Sequence, residues 1–300
     1  MTACGSGRED GIVRIGAVLP QGEFGNPRFD EVLAFVKAVE AAGCDHLMLF
    51  DHVIGANAEE RPGWRGAYDH RNPFLEPLVL SALLVNECAL ELVTDVLVLP
   101  QRQTALVAKQ VATLEALVPG RIRLGVGIGW NDVEYDALGM DFRRRARRLE
   151  EQVPLLRRWW SEKWFSHSGD YDRVDRAGIA PRPPRVPPIW IGSGDNPRAL
   201  ARVGRLADGW IPMPVLQPGR GFEPAWDAVT AAAAEAGRTE RLGLQGHVWV
   251  RDDNLRDVPR LIEAWQEAGA DAVALNTLRR KVSWPDGHLD LLLRALDSIR

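Results

Sequence analysis

Eight short apolar runs, each followed by a longer amphipathic segment, divide this chain of 300 residues. The short runs are rich in Val, Ile and Leu, and their alternation with helical patterns is typical of βα units repeated around a parallel sheet. We predict strands at 12–19, 45–50, 91–99, 121–128, 188–192, 208–212, 242–250 and 271–276. We predict helices at about 29–42, 74–89, 103–117, 141–161, 196–205, 222–237, 255–268 and 288–299.

Eight strands that alternate with eight helices predict an α/β fold, a closed (β/α)8 TIM barrel. Such barrels commonly form one domain at this length, and no linker divides the sequence, so we predict a single domain over 1–300. The turns agree with this interpretation. The stretches "EAAGCD" and "EAGAD" each place Gly just past a helix and Asp before the next strand.

Two segments exceed what a minimal barrel needs. Residues 53–73 form a long loop after the second strand, and residues 162–187 form a Pro- and Gly-rich insertion before the fifth. Long irregular segments in a compact domain are usually functional or disordered. Because both segments contain aromatic residues, we expect both to be ordered and to cover part of the barrel.

Composition excludes several classes of function. The formal net charge of −4 gives no basic footprint for nucleic acid, and no apolar stretch approaches the ~18 residues of a membrane span. Cys4, Cys44 and Cys88 are far apart and odd in number, and the histidines lack metal-ligand spacing, so we predict neither a disulfide framework nor a metal site. We therefore expect a cytoplasmic protein that binds neither nucleic acid nor membrane.

A local run of arginines stands out within residues 143–148. We interpret it as a solvated helix face that pairs with Glu150 and Glu151, with an anion site as the alternative.

Active sites of TIM barrels lie at the carboxyl ends of the strands. The second strand ends in "FDHV", which places the Asp51 carboxylate beside the His52 imidazole, and we predict this pair as catalytic. A structural histidine held by a backbone carbonyl is the alternative.

Two glycine-rich stretches follow other strands. "IGSGDNPRAL" combines a Gly/Ser turn with a helix start, which suits a phosphate, although a plain helix cap explains part of the pattern. In "RIRLGVGIGW", alternate glycines leave one face of a strand without side chains. The close approach of a ligand would explain this pattern. Its G-x-G-x-G order does not match the dinucleotide fingerprint.

Taken in order, "LPQ", "FDHV", "LVTDVLVLPQRQ", "RIRLGVGIGWNDVEYDALGMDF" and "PPIWIGSGDNPRALARVGRLADGWIPM" resemble the bacterial luciferase-like monooxygenase superfamily. They are most similar to its deazaflavin (coenzyme F420)-dependent oxidoreductase branch, and the resemblance covers about residues 12–215. It implies a barrel that binds a flavin-type ring across the strand ends, and a homodimer.

The resemblance also assigns cofactor-binding residues. On the third strand it implies a cis peptide between Asp95 and Val96 behind the ring, with Thr94 next to it. Family members more often carry a small residue where Asp95 stands, so its carboxylate either turns away from the ring or engages the cofactor. His52 matches the histidine beside the ring. The remaining residues are Gly127, Gly129, Trp130 and Asn131 alongside the cofactor, and Gly192, Ser193 and Gly194 at its phosphate.

These features together predict an oxidoreductase that transfers a hydride between coenzyme F420 and a small organic substrate. The alternatives are an FMN-dependent monooxygenase and a barrel that binds a flavin without catalysis. An aldolase-type barrel would need a Lys or a carboxylate cluster at the strand ends, and no Lys stands there.

Overall fold

The computed structural model describes residues 13–280 and 282–299. Within them, eight strand positions run parallel and close into a barrel, because β3 pairs with β2 on one side and with β5 on the other. The predicted TIM barrel is confirmed.

The first residue predicted for the first strand, and Cys4, lie outside the described residues. The strands are β1 (Arg14–Val18), β2 (His46–Leu49), β3 (Glu91–Thr94), β4 (Leu97–Val98), β5 (Ile122–Gly127), β6 (Phe165–Ser168), β7 (Arg173–Ala177), β8 (Ile189–Ser193), β9 (Gly209–Pro212), β10 (Gly243–Trp249) and β11 (Ala272–Asn276).

The predicted strand at 91–99 is divided in the structure. A cis peptide joins Asp95 to Val96 at the break, as the resemblance implied, and β3 and β4 occupy one position of the barrel. Both segments pair with β5, so the sheet continues past the break.

The helices lie outside the barrel, close to their predicted positions. One correction concerns the predicted helix 74–89, which spans only Pro77–Leu84: Pro77 occupies its first turn, and the Glu76 side chain accepts a hydrogen bond from the Val79 N–H at 2.7 Å. The short helix α4 was not predicted. The helices are α1 (Phe29–Ala41), α2 (Pro77–Leu84), α3 (Thr104–Leu117), α4 (Asp132–Ala137), α5 (Arg145–Ser161), α6 (Pro197–Leu206), α7 (Phe222–Glu235), α8 (Val258–Glu267) and α9 (Asp286–Asp297).

Three aspartates that precede strands have a common structural role. Asp45 accepts a hydrogen bond from the backbone N–H of Ile15 at 2.9 Å. Asp208 and Asp271 accept in the same way from the N–H groups of Ile189 and Leu244, at the starts of the neighbouring strands, at 2.7 and 2.8 Å. Each carboxylate thereby joins its own strand to the neighbouring one. The glycines of the preceding turns, Gly43 and Gly269, have positive φ angles, as predicted for helix caps.

A buried charged group fills the amino end of the barrel. The Arg123 guanidinium donates to Gln245 Oε1 at 3.0 Å, lies 3.2 Å from a Glu91 oxygen, and stacks 4.5 Å from the Trp190 ring centre. Burial, together with the nearby Arg123 charge, holds the pKa of His46 well below its usual range. The amino end of the barrel is therefore closed by packed side chains, which leaves the carboxyl end for a ligand.

The two insertions differ in position. Residues 53–73 contain no helix or strand and pack onto the carboxyl end of the barrel near His52. The second insertion contains the antiparallel hairpin of β6 and β7, which contacts α3 and α5 on the outer wall: Asp172 accepts from Thr104 Oγ1 at 2.7 Å, and Phe165 packs on Trp159. It covers helices, and these contacts do not reach the barrel mouth.

In the described part of the chain, no helix combines the length and apolar character needed to cross a membrane.

Candidate active site

His52 is held in one orientation at the carboxyl end of the barrel. Its Nδ1 lies 3.1 Å from Oε1 of Glu134, a buried residue on α4, and Gln101 Nε2 donates to the other Glu134 oxygen at 2.9 Å. Burial disfavours the charged carboxylate, but hydrogen bonds from His52 and Gln101 outweigh it and hold the pKa of Glu134 below its usual value. An ionised Glu134 accepts Nδ1–H and leaves Nε2 as the ring nitrogen for a ligand.

Sequence reasoning missed both partners of His52. Gln101 and Glu134 lie 33 residues apart, and neither stands in a motif of its own. The available signal is the helix start "NDVE" directly after the fourth predicted strand, which places an acidic residue at the carboxyl end of the barrel.

Asp51, predicted as catalytic beside His52, has both carboxylate oxygens engaged in structural contacts. Arg102 donates to them at 2.7 and 2.9 Å, and the Val98 N–H donates at 2.7 Å. Burial works against the charge on Arg102, but its contacts with Asp51 and Glu76 raise its pKa above the ordinary value. These contacts join the end of β2 to β4. The catalytic roles of Asp51 and His52 stay predictions.

Aromatic rings surround the His52 imidazole. Tyr68 and Phe74 approach from the loop after β2, with ring centres 5.1 and 4.6 Å from that of His52, and Trp130 approaches from the loop after β5 at 5.5 Å. Trp64 packs on Trp130 at 5.8 Å, and Trp130 itself is 40% exposed. The imidazole therefore lies in a largely apolar enclosure with one exposed aromatic wall.

The glycines of β5 face the broken strand. A Cβ on Gly125 would lie 2.0 Å from the Thr94 carbonyl oxygen, and one on Gly127 would lie 2.4 Å from Val96 Cγ2. Gly129 faces Val98 in the same way, at 2.7 Å, and its φ angle of +61° favours glycine. The face predicted to be cleared for a cofactor is thus occupied by β3 and β4. A role for Gly127 and Gly129 alongside a cofactor stays a prediction.

Thr94 and Asn131 also make structural contacts. Thr94 Oγ1 donates to the Gly125 carbonyl at 2.6 Å, which ties β3 to β5. Asn131 caps α4 by accepting from the Val133 N–H at 3.2 Å, and donates to the Ile54 carbonyl at 3.2 Å. Both residues are buried, and their contact with a cofactor stays a prediction.

Asp95 turns into the barrel, toward His247 on β10. The closest atoms, Asp95 Oδ2 and His247 Nε2, are 3.9 Å apart, and neither ring nitrogen of His247 has a hydrogen-bond partner among the described residues. Burial raises the pKa of Asp95 and lowers that of His247, so it disfavours the charged form of each group. The carboxyl of Asp95, the first residue of the cis peptide, thus faces the interior of the barrel, and its contact with a cofactor stays a prediction.

The Gly/Ser turn after β8 presents free backbone donors. Among the described residues, the N–H groups of Gly194, Asp195 and Asn196 have no acceptor, while Asn196 Oδ1 caps α6 through the Arg198 N–H at 3.0 Å. Trp210 Nε1 donates to Ser193 Oγ at 2.9 Å and fixes the turn from below. Free N–H groups at a helix start are suited to a phosphate.

The donor set at the carboxyl end is not that of a metal site. Within residues 13–280 and 282–299, no group of three His, Cys, Asp or Glu side chains is arranged to hold a metal ion.

Comparison with known proteins gives consistent results. Residues 12–282 match the family model of luciferase-like monooxygenases. A curated relative, the F420-dependent hydroxymycolic acid dehydrogenase of Mycobacterium tuberculosis, is 31% identical over 202 residues, which are 66% of this chain and 52% of that protein. The curated relatives that head the comparison are matched over less than two thirds of their own length, 65% for the first.

Solved structures share the fold at low sequence identity. An F420-dependent secondary alcohol dehydrogenase in complex with an F420-acetone adduct superposes with a TM-score of 0.74 at 18% identity, over 96% of this chain and 99% of that one. The oxygenating constituent of 3,6-diketocamphane monooxygenase from Pseudomonas putida, in complex with FMN, gives 0.62 at 17% identity, over 84% and 71%. Since the family model matches nearly the whole described barrel, the chain belongs to the luciferase-like monooxygenase family of enzymes.

Proposed function

We propose that this protein is an F420-dependent oxidoreductase that transfers a hydride between the deazaflavin and a small organic carbonyl or alcohol. The observation that carries the proposal is the His52 imidazole, fixed by Glu134 and Gln101 at the carboxyl end of the barrel. The names of a curated relative and of a solved structure with this fold, both F420-dependent dehydrogenases, support the choice of cofactor.

The residues at the strand ends suit a phosphate-bearing cofactor. The unpaired N–H groups of Gly194, Asp195 and Asn196 would hold its phosphate. Val96, which packs between Gly127 and Gly192, would support the ring from behind, with Gly129 and Trp130 beside it. When bound, the deazaflavin supplies or accepts the hydride, and the protein supplies orientation and a dry enclosure.

His52 would manage the proton that accompanies the hydride. In the reduction of a carbonyl, the oxygen that gains the π electron pair as the new C–H bond forms would take its proton from His52 Nε2. In the reverse direction the alcohol gives its proton to Nε2. Glu134 is a positioning residue. It accepts Nδ1–H and would stabilise the ring whenever Nε2 also carries a proton.

Two experiments test this function. Absorbance titration of the purified protein with F420 and with FMN should give saturable binding of F420, and tight FMN binding without F420 binding would favour the FMN-dependent monooxygenase. With a panel of alcohols and carbonyls, His52→Ala should bind F420 as the wild type does and lose at least about 100-fold in turnover, the low end of general acid-base contributions. His70→Ala, which changes a loop histidine bonded to the Ala56 carbonyl, is the matched control.

F420 binding without turnover of any member of a broad panel would favour the third possibility, a barrel that binds a flavin without catalysis.

We also propose one domain over 1–300 and a cytoplasmic homodimer. Light scattering should give twice the chain mass of 33.3 kDa. A mass of one chain would contradict the dimer.

A further inference from the structure

A basic cleft lies on the outer wall of the barrel, between the start of α5 and the exposed face of α6. It encloses about 550 Å³. On α6, the arginines are spaced by four and then three residues, so they share one helical face. Arg147 and Glu150 share a face of α5 in the same way, and Arg143 and Arg144 precede that helix. The six arginines that line the cleft are Arg143, Arg144, Arg147, Arg198, Arg202 and Arg205.

The cleft holds far more positive charge than its acidic residue can neutralise. Glu150 is the one acidic residue in its lining, and it accepts from Arg202 Nε at 2.9 Å and lies 3.5 Å from Arg205. This corrects the interpretation of the arginine run as a face paired with Glu150 and Glu151. Glu150 pairs across to α6, and Glu151 instead binds the turn of the β6–β7 hairpin, where its carboxylate accepts backbone N–H groups.

Three guanidinium groups of the cleft have no acceptor among the described residues. They belong to Arg143, Arg147 and Arg198, whereas Arg144 lies 3.6 Å from Asp141. Positive charges that line one cleft of about 550 Å³ repel one another in the free protein, and physiological salt weakens this repulsion over a screening length of about 8 Å. A bound anion would remove that repulsion. A helix face that only contacts solvent gives no reason for unpaired arginines to gather in one cleft.

Part of the cleft is already ordered for binding before any ligand is present. Arg202 has only 8% of its side chain exposed and is held by Glu150, so one donor is fixed before any ligand binds. Ala146 and Ala201 lie between the arginines and leave room for a ligand to approach. Arginine presents a planar fork of donors that matches phosphate and carboxylate oxygens in pairs.

We propose that the α5–α6 cleft binds an oligoanion, a small flexible molecule that carries at least two phosphate or carboxylate groups. Arg147 and Arg198 face it from the two helices, and Arg202 anchors it. A single small anion would leave several guanidinium groups without a partner, which is why the ligand carries more than one charge. This site is separate from His52, and its test requires neither the deazaflavin nor a substrate.

The experiment is calorimetric titration of the whole protein with tripolyphosphate and with tetraglutamate at 150 mM salt. We expect one site that binds at least one of them, with affinity that falls as salt rises. The comparison of the two probes distinguishes a phosphate ligand from a carboxylate ligand. The double variant Arg147→Glu, Arg198→Glu should bind at least tenfold more weakly. The double variant Arg256→Glu, Arg260→Glu changes the net charge equally at exposed arginines outside the cleft and should bind as the wild type does.

Other outcomes would overturn the proposal. An equal loss in both double variants would show binding to net charge alone, and the absence of saturable binding to either probe would return the cleft to a solvated surface. A short DNA duplex is included as a third probe. If it bound more tightly than tripolyphosphate, and only with the cleft intact, the ligand would be a nucleic acid and the small oligoanion would be excluded. Circular dichroism of each variant checks that the fold is retained.

Discussion

The glycine at position 127 offers a direct test of why β5 carries no side chains at Gly125 and Gly127, on the face that Arg123 occupies at the amino end. A Cβ at this position would lie 2.4 Å from Val96 Cγ2, a distance at which one of the two groups must move. Because Val96 is also confined by Gly192, whose Cβ would lie 2.6 Å from Cγ1, it has little room to give way. We therefore expect Gly127→Ala to overpack the junction of β4, β5 and β8.

The expected cost of Gly127→Ala is about 1–3 kcal/mol of unfolding free energy, the usual range for overpacking. Val96→Ala alone removes two methyl groups, at about 0.8 kcal/mol each, and so costs about 1.5 kcal/mol. In the double variant the new methyl group enters the space that Val96 vacates. The two changes should therefore be less costly together than the sum of their separate effects, with a coupling of about 1–2 kcal/mol.

Urea denaturation followed by tryptophan fluorescence measures all four members of this double-mutant cycle. Gly25→Ala is the matched control, because nothing lies within 4 Å of the added Cβ, and we expect it to change stability by less than about 0.5 kcal/mol. Strictly additive effects would refute the packing explanation. If Gly127→Ala resembled Gly25→Ala in stability but weakened F420 binding, the glycine would serve the cofactor, as first predicted.

Three further predictions concern buried polar groups. Glu134→Ala leaves an imidazole and an amide without their acceptor and should cost about 1–3 kcal/mol for each, measured by urea denaturation; an unchanged midpoint would contradict the assignment. Arg102→Met leaves the Asp51 carboxylate buried without its partner and should cost about 3–5 kcal/mol by the same measurement, whereas the exposed Arg260→Met should cost under about 0.5 kcal/mol. Asp95 binds its proton more tightly in the folded than in the unfolded protein, so its contribution to stability is full below an unfolded pKa near 3.8 and is lost as the pH rises through the raised folded pKa. Asp95→Asn should therefore be more stable than wild type at pH 7 and equal or less stable near pH 3, and a constant difference across this range would show that Asp95 is not perturbed.

The third predicted strand shows most clearly which features could not be predicted from the sequence. The run of Val and Leu at 91–99 predicted one strand correctly in position, yet the structure divides it at Asp95 and turns that carboxyl toward His247, 152 residues further along the chain. The alternating glycines of β5 were correctly identified as unusual. Their neighbours, Val96 and Val98, could not be identified before the position of the broken strand was known.

The candidate site shows the same division. His52 and the Gly/Ser turn after β8 stand at the ends of predicted strands, and the rule that TIM barrels bind ligands there was sufficient to single them out. The partners that give His52 its orientation were not predicted. Glu134 lies 82 residues from it in the sequence, and only the folded sheet, in which β3 lies between β2 and β5, brings α4 next to the end of β2.

The sequence by itself determined the eight βα units, their order and the edge of the barrel at which His52 and the Gly/Ser turn lie, because apolar periodicity and turn residues act over a few positions. Tertiary structure alone decided which charged groups meet. The pairing of Asp51 with Arg102 and of Glu150 with Arg202 depends on side chains from elements that become neighbours only when the barrel folds. Buried charges need a partner wherever the fold places one, so their contacts are set by closure of the barrel and leave no local pattern in the chain.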